Sequence, residues 1–185
     1  MLNHECIKKG EIGNVIFLDM DGVMNSIRSM MFGEHIDMEC ARHVRRISNH
    51  CDADIVLSSV WRIGNDTRTI QEILYPMGLY RVIGRTCSNM SVTRQSGRGE
   101  EIEAWIKAFG CKNYVILDDD SDFLDYQKEN HFVHTNGELG MTEKDSTRAI
   151  REIFKVTTPF CHECNGYGRV NEYDKCPSCN GKNLR

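Results

Sequence analysis

The sequence predicts an α/β fold, a parallel sheet covered by helices on both faces, with a small metal-binding module at its C-terminal end. Three observations predict it. Short apolar runs such as Val15-Ile16-Phe17-Leu18 and Tyr114-Val115-Ile116-Leu117 lack the in–out alternation of a half-exposed strand, as strands buried on both faces do. Segments with apolar residues at helical spacing separate these runs, and strands alternating with helices imply parallel pairing through crossovers. Beyond residue 159 this pattern stops and two Cys-x-x-Cys pairs take over. A chain of 185 residues has room for one domain of ordinary size and an appendage. The expected division is 12–156 and 159–185, with Thr157-Thr158-Pro159 as the linker.

Composition narrows the class. Hydrophobic content of 40% and charged content of 27% are those of a soluble globular protein. The first eleven residues are polar without an apolar signal-like stretch, and no apolar run approaches the ~20 residues of a membrane helix. A cytoplasmic protein without membrane contact is therefore expected. Of nine cysteines, five are scattered and four are paired near the C-terminus, which in an intracellular chain means free thiols plus a metal site. The net charge of −4 gives no global case for nucleic-acid binding. Residues 73–99, however, hold Arg81, Arg85, Arg94 and Arg98 and no acid, a local basic segment able to attract a phosphate-rich ligand.

Each element has its own signal. The first strand, 14–18, leads into Asp19-Met20-Asp21-Gly22 and a loop of about twenty residues that carries Met30, Met31 and Phe32. A helix is expected over 37–50, with Val44 and Ile47 on its apolar face. Residues 54–58 form the second strand. Ile70, Ile73, Leu74 and Met77 mark the next helix, with Pro76 and Gly78 near its end. A short strand over 80–83 precedes a helix over 98–109, which Gly110 stops. Strands over 114–117 and 131–134 follow. The last helix, 142–155, opens with the capping pattern Thr142-x-x-Asp145.

The chemistry gathers at strand ends, where open α/β sheets bind ligands. Asp19 and Asp21 end the first strand and repel each other unless a cation or a shared proton compensates. Ser58-Ser59 ends the second, with Arg62 just beyond; a hydroxyl and free backbone N–H groups there can hold a phosphoryl oxygen. Arg98 stands at a helix start, where the macrodipole disfavours a cation. Asp118, Asp119 and Asp122 end the fourth strand. Carboxylates without His or Cys select Mg²⁺ over Zn²⁺.

Asp19-x-Asp21-Gly22, Ser58, a cation before a helix and the Asp118/Asp119/Asp122 cluster resemble the four ordered motifs of the haloacid dehalogenase (HAD) superfamily. The runs Ile-Val-Leu-Ser-Ser-Val-Trp-Arg and Tyr-Val-Ile-Leu-Asp-Asp-Asp-Ser-Asp are similar to small HAD domains associated with RNA repair and to the phosphatase half of polynucleotide kinase/phosphatases. The resemblance implies a HAD-like Rossmannoid three-layer sandwich and a phosphatase. In it Asp19 is the nucleophile, Asp21 the general acid and base, and Ser58 and Arg98 the ligands of the phosphoryl oxygens. Mg²⁺ is held by Asp19, Asp21 through its backbone carbonyl, Asp118, Asp119 and Asp122. The family's third motif usually carries lysine; here Arg98 takes that position, with Arg94 as the second candidate. The gaps of about 36 and 39 residues between motifs leave no room for a large cap, only for a flap over 26–39. An open site suits a phosphorylated nucleotide or nucleic-acid end, with Ser59, Arg62, Arg81, Arg85 and Arg94 as further substrate contacts. A phosphoprotein or small-metabolite phosphatase, or a non-catalytic binding module on a HAD scaffold, are the alternatives.

In the C-terminal piece, Cys161-x-x-Cys164-x-Gly166 and Cys176-x-x-Cys179-x-Gly181 have the spacing of a closed, structural Cys₄ zinc site. The two units resemble the zinc-finger repeats of DnaJ-type co-chaperones. A segment this short cannot bury a core, so zinc is expected to be its main source of stability.

Overall fold

The computed structural model describes residues 12–87, 97–171 and 174–181. Five parallel strands form one sheet in the order β3-β2-β1-β4-β5. They are β1 (Asn14–Leu18), β2 (Ala53–Leu57), β3 (Val82–Arg85), β4 (Asn113–Asp118) and β5 (Phe132–His134). β1 is central, and Leu18 stands level with Leu57 on one side and Leu117 on the other. Val15 to Leu18 have no exposed surface, which is why β1 reads as an unbroken apolar run rather than an alternating one.

Alternation is still there, but it sorts residues between two cores. Ile16, Leu18, Ile55, Leu57, Val115 and Leu117 face one side, where α2 (Met38–Cys51), α3 (Thr67–Leu74) and α6 (Glu143–Arg148) pack. Val15, Phe17, Val56 and Ile116 face the other, under α4 (Gly97–Phe109) and α5 (Asp125–Asn130). There Phe17 meets Trp105 and Tyr114 edge-on at 5.4 and 5.7 Å, the arrangement aromatic quadrupoles favour. This is the expected three-layer sandwich.

Local chemistry sets the helix bounds. Asp37 caps α2 by accepting from the Glu39 N–H at 2.8 Å, and Thr142 and Asp145 form the capping box of α6, which runs on as a π-helical turn over Ala149–Ile153. Two short helices carry no legible periodicity: α1 (Ile27–Met31), capped by Ser26 and Ser29, and α5. The third strand begins later than the sequence suggested, at Val82. Arg81 ahead of it is engaged through its carbonyl with the Ile55 N–H and through its guanidinium with Asp52 and Asp54.

The Cys-rich segment folds back onto α2 and α6. Arg46, 1% exposed, donates to the Ser146 and Thr147 hydroxyls at 3.0 Å each. Its guanidinium also lies over the Phe160 ring at 4.1 Å and the Tyr167 ring at 4.9 Å. Tyr167 Oη and His43 Nδ1 are 2.8 Å apart. A charged α2 side chain is thus roofed by the appendage.

Candidate active site

The site lies at the C-terminal ends of the strands. The sheet's hydrogen bonding runs one residue past the apolar runs: the N–H of Asp19 donates to the Leu117 carbonyl, that of Ser58 to Leu18 and that of Thr86 to Leu57. Asp118, Asp19, Ser58 and Thr86 therefore form one row across four strands, all under 7% exposed.

Two carboxylates in that row are buried side by side. Burial pushes the Asp118 carboxyl up to about 8, with the neighbouring Asp19 charge raising it further and Arg98 pulling it back. Burial likewise pushes Asp19 up to about 6, while a hydrogen bond with the Ser59 side chain and the charge of Arg98 act the other way. Asp119 joins them: one oxygen from each of Asp19, Asp118 and Asp119 lies within 4.8 Å of the others. The Asp119 carboxylate packs directly on backbone, and a Cβ at Gly22 (φ +74°) or Gly137 would collide with it. Glycine at these two positions makes the close approach possible.

Arg98, in the first turn of α4, explains why a cation stands at a helix start. Its guanidinium reaches Asp118 at 2.7 Å, Asp122 at 2.8 Å, Asp120 at 3.0 Å and Asp19 at 3.7 Å. Burial opposes its charge, but these carboxylates outweigh burial and hold the guanidinium firmly protonated. Asp122, expected as a metal ligand directly or through water, has its carboxylate turned to Arg98, and among the described residues Asp19, Asp118 and Asp119 are the acids that converge.

Asp21 is held differently. Asn25 Nδ2 donates to one of its oxygens and Trp61 Nε1 to the other, each at 3.0 Å. Asn25 also accepts from the Gly22 N–H and donates to the His35 carbonyl, so the residue that orients Asp21 also ties down the flap. A crevice of about 380 Å³ opens here, lined by Asp19, Asp21, Val60, Arg62, Arg98 and the acids after β4.

The remaining expected contacts divide. Ser59, not Ser58, meets Asp19; the Ser58 hydroxyl is buried with no hydrogen-bond partner. Arg62 lines the crevice, but its guanidinium donates to the Ser58 and Ser59 carbonyls at 2.7 Å and pairs with buried Glu101 of α4. Arg85, at the C-terminal end of β3, donates to the Arg62 carbonyl at 3.0 Å. Arg81, expected among the substrate contacts, lies at the opposite end of the sheet, bound to Asp52 and Asp54, because it precedes its strand instead of following it. Arg94 falls outside the described residues. Sequence reasoning missed Trp61, Glu101 and the role of Asn25 toward Asp21. Only proximity to Ser58-Ser59 or to Asp21 hinted at Trp61 and Asn25, and nothing hinted at Glu101.

A second metal-competent cluster lies in the appendage. Cys161 and Cys176 sulfurs are 3.7 Å apart, as are those of Cys164 and Cys179, and all four converge. Four sulfurs at ~2.3 Å around one tetrahedral zinc lie about 3.8 Å apart, so the cluster fits that ion.

Residues 15–146 match the family described as the HAD domain in Swiss Army Knife RNA repair proteins. The chain belongs to this family. The match covers all five strands except Asn14 at the start of β1 and takes in every acid of the crevice, and HAD hydrolase chemistry in general follows from it. No curated protein and no solved structure matches the chain. Among the described residues no helix is long and apolar enough to cross a membrane.

Proposed function

We propose that this HAD domain is a Mg²⁺-dependent phosphomonoesterase that works through an aspartyl-phosphate on Asp19 and takes a phosphorylated nucleotide or polynucleotide end. The observation that carries the reading is the buried Asp19–Asp118 pair, with Asp119 beside it and Asp21 held apart at the crevice. Three converging carboxylates carry more negative charge than the single Arg98 guanidinium offsets, which a divalent cation would balance, and an all-carboxylate donor set suits Mg²⁺. Asp19, Asp118, Asp119 and the Asp21 carbonyl would hold it. Bound there, the ion would cancel charge between nucleophile and phosphate.

The residues then divide the reaction. An Asp19 oxygen attacks phosphorus in line, and the bond to the leaving oxygen breaks. Asp21, aimed by Asn25 and Trp61, gives its proton to that oxygen and then takes one from the water that hydrolyses the acyl phosphate. Ser59, Ser58 and Arg98 offer donors to the equatorial oxygens, where charge collects. Ser59 already bonds the nucleophile, whereas Ser58 has a hydroxyl in need of a partner. The Cys₄ cluster would hold a structural Zn²⁺.

The test is phosphate release from 3′- and 5′-phosphorylated oligonucleotides, mononucleotides, a small ester and phosphopeptides, with Mg²⁺ and with EDTA. Release from nucleotide substrates that EDTA abolishes is expected. Release from phosphopeptides alone would overturn the substrate, and undiminished release in EDTA would overturn the metal.

A further inference from the structure

One segment touches both acidic strand ends at once. The turn after β5 begins at Thr135, which is 4% exposed. Its N–H donates to the Asp118 carbonyl and its hydroxyl to the Gly22 carbonyl, each at 2.9 Å. A carbonyl can only accept, so both bonds run outward from Thr135. A single buried residue thus joins the peptide that leads into Asp119 to the loop that follows Asp21. Its neighbours press on the same two segments. His134 Nε2 lies 2.8 Å from the Asp119 carbonyl, and a Cβ at Gly137 would come to 2.6 Å from Asp119 Oδ2. On the other side the Met141 N–H donates to the Val23 carbonyl, and Gly140 (φ +68°) leaves no room for a Cβ beside the Asn25 carbonyl. Asn136 holds the turn in shape: its carbonyl accepts from the Leu139 and Gly140 N–H groups, and its side chain accepts from the Glu138 N–H.

The acids have a use for such a clamp. The ladder between β1 and β4 reaches the Asp19 N–H and the Leu117 carbonyl, short of both Gly22 and Asp119. Yet Asp119 stands with Asp19 and Asp118, one oxygen of each within 4.8 Å of the others, against the repulsion of like charges. Carboxylates that hold an ion depend on outer partners for their orientation, and losing such a partner typically costs roughly 10–100-fold in metal affinity.

We infer that Thr135 is a positioning residue of the metal site: its two bonds lock the ends of β1 and β4 at the spacing at which Asp19, Asp118 and Asp119 receive one divalent cation. The inference rests on the Mg²⁺ reading above and adds to it a residue from a third strand end that acts through the acids. The hydroxyl is the part that decides, because the backbone bond to Asp118 would survive in any residue but proline, whereas the bond to Gly22 needs a side-chain donor.

The experiment is calorimetric titration of Mg²⁺ into the full, substrate-free chain, with phosphate release from a small ester followed over the same Mg²⁺ range. Thr135→Val keeps the shape and removes the donor. Its Kd for Mg²⁺ should rise by roughly tenfold, and its deficit in turnover should shrink as Mg²⁺ is raised. Thr135→Ser restores the donor and should bring the Kd back toward the wild-type value. Thr135→Ala removes the hydroxyl without an added apolar branch and gives the same reading if the valine variant fails to fold. Ile150→Val, a trim of a buried side chain in the π-helical turn after α6, is the control for general loosening: it should lower the melting temperature and leave the Kd where it was. A Kd that neither Thr135→Val nor Thr135→Ala moves, or that Ile150→Val raises equally, would overturn the inference while leaving the metal standing. Wild-type protein that takes up no Mg²⁺ and releases phosphate undiminished in EDTA would instead remove the metal reading, and the inference with it.

Discussion

The crevice and the C-terminal module hold their ionisable clusters in opposite ways. The crevice gathers Asp19 from the end of β1 and Asp118 and Asp119 from the end of β4, buries two of them almost completely and leaves their mutual repulsion only partly offset by Arg98. The Cys₄ cluster is drawn from two local turns and closed by its own chain, with the Gly168 N–H donating to the Cys164 sulfur at 3.2 Å. The first arrangement costs stability and leaves a face open to a ligand. The second brings four sulfurs together, and Phe160 and Tyr167 of the same segment pack on Arg46 and His43 of α2. Acids held together against their repulsion are candidates for chemistry, whereas four thiols on two tight turns have the spacing of a closed structural metal site.

The largest expected effect breaks the crevice alone. Asp19→Asn keeps the shape but removes the attacking charge, so turnover should fall by about 10³-fold or more. Because one of two repelling buried carboxylates is gone, the melting temperature should hold or rise. Steady-state kinetics and a thermal scan check both halves, and a variant that kept near wild-type turnover would end the aspartyl-phosphate mechanism.

Breaking the other cluster should do the reverse. Metal analysis should find one zinc per chain, lost in Cys164→Ser. That loss should cost roughly 3 kcal/mol, a fall of about 6–12 °C in melting temperature for a chain of this size. Truncation before Cys161 should leave a folded HAD domain. That domain should keep catalysis on a small ester but melt lower, because it loses the Tyr167 ring over Arg46 and the Tyr167 hydroxyl beside His43.

A smaller effect tests what joins the parts of the crevice. Arg62 and Glu101 form a buried pair between the end of β2, which carries Ser58 and Ser59, and α4, which carries Arg98 one turn earlier. Glu101→Gln removes the charge but not the shape, and should destabilise by about 2 kcal/mol. KM should rise more than kcat falls, since phosphate-binding groups drift apart while Asp19 and Asp21 stay in place.

The smallest effect concerns the junction. Burial lowers the pKa of His43, which sits between Glu39 and Tyr167. The unfolded chain therefore takes up this proton more readily than the folded one. The stability His43 contributes is fully present above the unfolded value of ~6.5 and is lost as pH falls through the lower folded value. Melting temperature between pH 7.5 and 5.5 should decline, and His43→Gln should flatten the slope with zinc still bound. An unchanged slope would mean that His43 does not couple the module to α2.

The sequence alone determined the alternation of strands and helices, the parallel sheet, the acids at the ends of the first and fourth strands and the Cys₄ spacing, because each is written within a few neighbouring residues. An apolar run, a capping residue or a Cys-x-x-Cys turn needs no distant partner to be recognised. Tertiary structure alone decided which serine meets Asp19, that Asp122 serves Arg98, that Arg62 pairs with Glu101 and that Arg81 faces away. It also decided that Trp61 and Asn25 aim Asp21 and that the cysteine module roofs Arg46. Each of these depends on where a long side chain ends, several ångströms from its own backbone and often beside a residue from another strand or helix. A guanidinium in particular takes whichever carboxylates the fold brings within its reach.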